Sequence, residues 1–286
     1  MKKIDRLGWA AGVSFRVCGL HLGVRVNDPG LMDQVVERLP PGWKPAESPY
    51  VEMLFSLLGG GGGPRANVRR FNLAYFDATR LARTTDLAEA LEALEQGMDF
   101  YVSSQARRRV FVRAGVVAFG RKAILIPGQR NSGKTTLVAE LVRQGATYYS
   151  DEHAVLDAQG RVHPYARPLS VYSPMGVRGR MAITDLGGVA GVKPLPVGLV
   201  VESEYRAGRK WRAQELSPGN GVLALLANTV SARREPQTTL ATLQQVLSGA
   251  RFLRSVRGEA RETASAILRE LNADESLSRT SNKLAE

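Results

Sequence analysis

The chain has 286 residues, 44% hydrophobic and 23% charged, and these ordinary globular values exclude wholesale disorder and a fibrous repeat. Its net charge of +12, from 39 Lys+Arg against 27 Asp+Glu, suits polyanionic partners such as nucleotides or acidic peptides and equally a solvated basic surface. One cysteine, Cys18, rules out an intrachain disulfide and a Cys-based metal cluster, and three histidines argue against a His-rich one. No apolar run reaches about 18 residues, so no membrane-spanning helix is expected. Met1-Lys2-Lys3 is not followed by an apolar signal core, and a cytoplasmic protein is the expectation.

Residues 10–27 alternate loosely through Val13, Phe15, Val17, Leu20, Leu22, Val24 and Val26, which predicts two strands joined near Gly19. Cys18 reads as a small buried side chain. Leu31, Val35 and Leu39 share one face of a predicted short helix that Pro40-Pro41-Gly42 ends. The five glycines Gly59–Gly63 before Pro64 predict a flexible loop, with no Lys-Thr/Ser pair behind them to make a phosphate cradle. A strand is expected over 71–77, then a helix carrying Leu87, Leu91 and Leu94, capped by Asp86.

A second region begins near Val110. Val110–Phe119 and Ala123–Ile126 flank Gly120-Arg121-Lys122 as a hairpin-like pair of strands. The run Gly128-Gln129-Arg130-Asn131-Ser132-Gly133-Lys134-Thr135 fits the phosphate-loop spacing of glycine, four residues, glycine, lysine and serine or threonine. Its context fits too, since the Ala123–Ile126 strand precedes it. A helix over 134–144 follows, with Leu137, Val138, Leu141 and Val142 on a packing face and Gly145 as its stop. In such a turn the backbone amides point inward and the helix dipole favours negative charge, so phosphates need few side chains. Gly128, Asn131, Ser132, Gly133, Lys134, Thr135 and Thr136 are the candidate nucleotide-binding residues, with Lys134 reaching the terminal phosphates and Thr135 offering its hydroxyl to Mg²⁺.

After a short strand, Thr147–Tyr149, comes Ser150-Asp151-Glu152. One helix between two strands normally sets them parallel, so their carboxyl ends share one sheet edge and the acids face the loop. Asp151 is expected to act as the base and Glu152 as the metal-side acid; the swap stays open, and both, with Thr135, are metal-ligand candidates. Arg178 and Arg180 lie in a Gly-containing loop from which an arginine can neutralise charge on a transferred phosphoryl group. His153 and Arg107-Arg108-Arg109 read first as structural or solvated groups, while His163, beside Pro164-Tyr165, fits a cleft lining and an ordered loop equally. Helices are expected over 222–230, 240–247 and 264–271, a strand over 250–256, and a fraying polar tail from Ala273.

With these residues in place, the sequence resembles the HPr kinase/phosphorylase superfamily, and more closely the HPr-kinase-like proteins of peptide-maturation and accessory gene clusters. The likeness rests on the loop Gly128–Thr135, the acids Asp151 and Glu152 one helix later, and flanking residues over about 110–270. Among these are Ala114-Gly115-Val116-Val117, Pro164-Tyr165, Pro168-Leu169 and Pro194-Leu195-Pro196-Val197. Relatives usually carry histidine where Arg113 stands, and the carrier-protein kinases usually carry aspartate where Glu152 stands. An arginine can bind phosphate but does not exchange a proton near neutral pH.

The resemblance implies an α/β fold with a P-loop core of the HPr kinase/PEP carboxykinase-like type and a mixed sheet over 106–272. A smaller α+β domain over 1–105 would precede it, and the tail would occupy 273–286. It implies a kinase using ATP and Mg²⁺ to phosphorylate a hydroxyl, a serine of a peptide or protein or a small-molecule acceptor, with Asp151, Lys134, Arg113 and Arg178 as catalytic candidates. A homo-oligomer is compatible with this reading. A non-catalytic ATP-binding regulator or scaffold is the alternative. Nucleic acid is disfavoured as a partner, since no helix-turn-helix, zinc or aromatic RNA-binding pattern accompanies the charge.

Overall fold

The computed structural model describes residues 3–61, 70–129, 132–172 and 178–283, with the backbone alone at Lys3, Tyr172, Arg178 and 272–283. Part of the glycine run (Gly62, Gly63) and Pro64 lie outside the described residues, as do Arg130 and Asn131. The chain forms two compact units, Met1–Arg108 and Arg109–Glu286.

In the first unit β1 (Ala11–Val17) and β2 (Leu20–Val26) form the expected hairpin. Cys18 (φ 49°) and Gly19 (φ 80°) make its two-residue turn, both left-handed, as such hairpins require. Cys18 is therefore half-buried in a turn rather than packed in the core. After α1 (Met32–Val36) come β3 (Lys44–Pro45), β4 (Met53–Leu58), β5 (Asn72–Phe76), β6 (Thr79–Thr84) and α2 (Leu87–Gln105). The sheet order is β3-β1-β2-β4-β5-β6, with β2 and β4 parallel and the other neighbours antiparallel. Asp86 accepts from the Ala88 amide and caps α2, which buries Leu91, Leu94, Met98 and Val102. Phe55 packs edge-on to Tyr101 of that helix.

The second unit opens with the hairpin β7 (Val110–Phe119) and β8 (Lys122–Pro127), followed by α3 (Lys134–Arg143). Then come β9 (Thr147–Ser150), β10 (His153–Leu156), β11 (Arg161–His163), β12 (Leu169–Tyr172) and β13 (Arg178–Met181). The chain finishes with β14 (Leu195–Tyr205), β15 (Gln214–Leu216), α4 (Pro218–Ala227), α5 (Pro236–Ser248), β16 (Arg251–Arg257) and α6 (Ala260–Lys283). The main sheet runs β11-β10-β7-β8-β14-β16-β15, with β9 also on β7; β11 returns to pair with the start of β14, so β10, β7, β8, β14 and β11 close on themselves. β8, β14 and β16 are mutually parallel, and the sheet is mixed.

Both faces of this sheet are covered. Ile124, Ile126, Leu199, Val201 and Leu253 pack with Leu137, Val138 and Leu141 of α3 and Ile267 of α6. Their strand neighbours Ala123, Leu125, Val200 and Phe252 pack on the other side with Val222 and Leu225 of α4 and Leu243 and Val246 of α5. Burial on two faces explains why β8 is apolar at nearly every position instead of alternating. α4 starts before residue 222 because Ser217 accepts from the Asn220 amide and Pro218 suits a first helical turn. The tail does not end its helix near 272: α6 runs on to Lys283, through a segment with neither glycine nor proline to break it. Among the described residues no helix is long and apolar enough to cross a membrane.

Candidate functional site

β8 and β9 each run antiparallel to β7, so they run parallel to each other with β7 between them. This is the orientation expected from one connecting helix, with a strand inserted in the middle. Ala114 of β7 pairs with Pro127, the last residue of β8, and donates its amide to the Glu152 carbonyl on its other side at 3.1 Å. The loop opening at Gly128 and the acid pair are thus held across a single strand, about 10 Å apart by strand spacing.

The acids follow directly on the end of β9, as the sequence suggested, but they do not leave the sheet there. β10 resumes along β7 immediately after them, with His153 opposite Arg113, while Ser150 lies opposite Val116. Asp151 and Glu152 therefore form a break between two collinear strands. The Ser150 hydroxyl fixes it, accepting from the amides of Glu152 at 3.2 Å and His153 at 3.0 Å. Breaks of this kind re-aim side chains out of the pleat.

Gly133 begins α3 in the left-handed region (φ 78°), and no side chain caps the helix. The first intrahelical bond runs from the Leu137 amide to the Gly133 carbonyl at 3.2 Å. The earlier amides of the first turn therefore lack intrahelical acceptors, a geometry that favours anions. Lys134 folds back over the loop, donating to the carbonyls of Gly128 at 2.8 Å and Gln129. Thr135 donates its hydroxyl to Asp151 Oδ2 at 3.2 Å, and Tyr148 Oη lies 3.3 Å from Asp151 Oδ1 while reaching the Arg167 carbonyl at 2.8 Å. Lys134 and Thr135, neighbours in the chain, form one cluster with Asp151, 16 residues beyond Thr135, and Arg113 and Glu152 lie beside it.

The electrostatics reflect that crowding. Burial lowers the Lys134 pKa; Asp151 opposes this, Arg113 adds to it, and Glu152 opposes it. The Asp151 carboxyl is pushed up to about 6, first by burial and then by the charge on Glu152, against hydrogen bonds from Thr135, Tyr148 and the Ser170 backbone. Burial first, and then Asp151, also pushes the Tyr148 phenol upward.

Other candidates separate from this cluster or stay outside it. Thr136 is exposed at the opposite side of the helix start. The backbone of Arg178 opens β13, its side chain lies outside the described residues, and Arg180 is exposed on the same strand. His153 is buried between the rings of Phe111 and Tyr165, and His163 pairs with Asp157 at 2.9 Å as part of a turn. Among the described residues no group of three or more His, Cys, Asp or Glu gathers as a ligand set for a metal.

Sequence reasoning missed Arg257. It is only 3% exposed at the end of β16, and its Nη2 donates to the carbonyls of Ser132 at 3.3 Å and Gly133 at 3.1 Å. Holding those carbonyls fixes the peptide planes at the start of α3. A Cβ on Gly133 would lie 2.4 Å from that same Nη2. Gly133→Ala is therefore expected to cost about 2 kcal/mol, from the left-handed backbone and the displaced guanidinium together. Urea unfolding reads this directly, and an unchanged midpoint would contradict the loop conformation.

Beside the loop is a cleft of about 1170 Å³ at the carboxyl ends of β8, β14 and β16. Gly128, Gln129, Ser132, Gly133 and Thr136 form one wall, and Glu202–Tyr205, Arg212, Asn228, Arg254–Arg257 and Glu259 line the rest. No local motif marks these residues; the parallel strand order brings them together.

No protein-family model and no curated protein matches the chain. Among solved structures, the Hpr(Ser) kinase/phosphatase from Coxiella burnetii is similar at 12% sequence identity and a TM-score of 0.34, covering 59% of this chain and 98% of that one. Likeness of this degree carries no argument about activity.

Proposed function

We propose that the protein is an ATP-dependent kinase that transfers a phosphoryl group to a hydroxyl acceptor, a serine of a peptide or protein. The observation that carries this reading is the Thr135–Asp151 contact of 3.2 Å at the uncapped start of a helix that also presents Lys134. Gly128, Gln129 and Ser132–Thr135 serve as the phosphate site: opening amides of α3 receive the polyphosphate, and Lys134 leaves the loop carbonyls for its terminal oxygens. Asp151 takes the acceptor's proton as the acceptor oxygen attacks the terminal phosphorus and the bond to the leaving diphosphate breaks. A carboxyl pushed up to about 6 is a better base than an ordinary aspartate yet stays ionised at neutral pH.

Mg²⁺ fits the donor set in kind, since this ion takes one or two carboxylates and completes its shell with water and phosphate oxygens. Thr135 and Glu152 would hold it, leaving Asp151 as the base, and when bound it would neutralise charge on the transferred group. Arg113, exposed beside Lys134, adds positive charge near the terminal phosphate but supplies no exchangeable proton at neutral pH, which favours the forward reaction alone.

The test is incubation with γ-labelled ATP, Mg²⁺ and a panel of serine-containing peptides and proteins, followed by mass spectrometry of labelled products. A phosphoserine product supports the kinase. Stoichiometric ATP binding with no labelled product across the panel would point instead to a nucleotide-binding regulator.

A further inference from the structure

The cleft beside the loop differs in character from the loop itself. The loop offers amides and Lys134, which suit a polyanion. The cleft carries three glutamates, Glu202, Glu204 and Glu259, which repel one. Its cations are mostly engaged: Arg254 Nε meets Glu202 at 2.6 Å, and Arg257 grips the loop carbonyls. Against this stand an aromatic face and hydrogen-bonding groups. Tyr205 is 47% exposed, with the Arg257 guanidinium 5.4 Å from its ring centroid and its hydroxyl 3.1 Å from Glu259. Asn228 keeps Oδ1 buried without a hydrogen-bond partner, and so does Arg257 at Nε. The chemistry that fits is uncharged and flat, with donors and acceptors at its edge.

The helix start separates two directions. Thr135 turns to Asp151, whereas the next residue, Thr136, lines the cleft. A polyphosphate lying over the first turn of α3 with its reacting end at Asp151 therefore directs its other end into the cleft. We propose that the cleft binds the nucleoside half of the triphosphate, with the base against the Tyr205 ring, the ribose hydroxyls donating to Glu259, and Asn228 Oδ1 accepting from an amino group. This inference rests on the phosphate-loop reading above. The volume of about 1170 Å³ exceeds what a nucleoside fills and leaves room for ordered water, since small-ligand pockets run about 300–1,000 Å³.

The test compares MgATP with magnesium tripolyphosphate, which carries the phosphates and no nucleoside, by calorimetry on the full chain. The unmodified protein is expected to bind ATP at least about tenfold more tightly. Tyr205→Ala is expected to weaken ATP binding about tenfold while leaving tripolyphosphate binding within about twofold; Tyr205→Phe, which keeps the ring, should retain most of the ATP affinity. Circular dichroism on each variant checks the fold, and a misfolded Tyr205→Ala passes the test to Asn228→Ala, with the same selective loss expected. Equal losses for both ligands, or no loss for either, would overturn the assignment of the cleft while the loop reading stands. If neither ligand binds the unmodified protein, the loop reading fails and the nucleoside site with it.

Discussion

Replacing Lys134 by alanine is expected to weaken MgATP binding about 100-fold while leaving the fold intact. The ammonium lies at the helix start, folded onto the carbonyls of Gly128 and Gln129. Charge-assisted hydrogen bonds to phosphate are worth about 1.5–3 kcal/mol, and 1.4 kcal/mol is about a factor of ten. The loop amides survive the substitution, so weak binding should remain. The carbonyls that lose the ammonium sit on a partly exposed loop where water replaces it, so the unfolding midpoint should shift little. Calorimetry with ATP beside thermal unfolding separates the two effects. Undiminished ATP affinity in Lys134→Ala would remove the loop from the nucleotide site.

Asp151→Asn should give the opposite pattern. ATP affinity is expected to stay within about threefold, while turnover falls on the order of 10³-fold, the range of a lost general base. The amide preserves much of the local geometry: its oxygen still accepts from Thr135, and its nitrogen can donate to the Tyr148 hydroxyl, which itself donates to the Arg167 carbonyl. Turnover of the unmodified enzyme should rise with pH as the carboxyl ionises, below about 6 because the Mg²⁺ beside it favours the carboxylate. Unchanged turnover in the variant would reject the base.

The same carboxyl has a stability signature. Its pKa in the folded chain, about 6, lies above the ordinary 3.8, so the folded state holds this proton more tightly than the unfolded chain does. The resulting stabilisation is present below about pH 4 and is lost as pH rises through about 6. At pH 8 the folded protein carries an ionised, crowded carboxylate at a cost of ~3 kcal/mol. Asp151→Asn is therefore expected to raise the melting temperature at pH 8 in chelator and to leave it unchanged near pH 4. A lower melting temperature at pH 8 would show that the carboxylate is stabilised by its hydrogen bonds more than it is penalised by burial.

Part of the site is legible in the chain itself because its determinants are local. The glycine–lysine–threonine spacing specifies a turn entering a helix, and Ile124, Ile126, Leu137 and Leu141 show the strand and helix on either side. Asp86 and Gly19 announce a cap and a hairpin in the same way, since each acts on its own neighbours. The acid pair could be placed near the loop because one helix between strands fixes their relative direction.

The tertiary structure alone decided what depends on strand order. β7 lies between β8 and β9, which sequence spacing does not encode, and the acids became a break between collinear strands because β10 rejoins β7 beyond them. β14 carries no sequence prediction of its own, yet it is the strand between β8 and β16 in the parallel part of the sheet. Arg257 meets Ser132 across 125 positions, and Tyr205 and Asn228 come from two other elements. Periodicity and capping report interactions a few residues apart. Hydrogen bonds between strands and the burial of both sheet faces choose the neighbours, and those choices built the cleft.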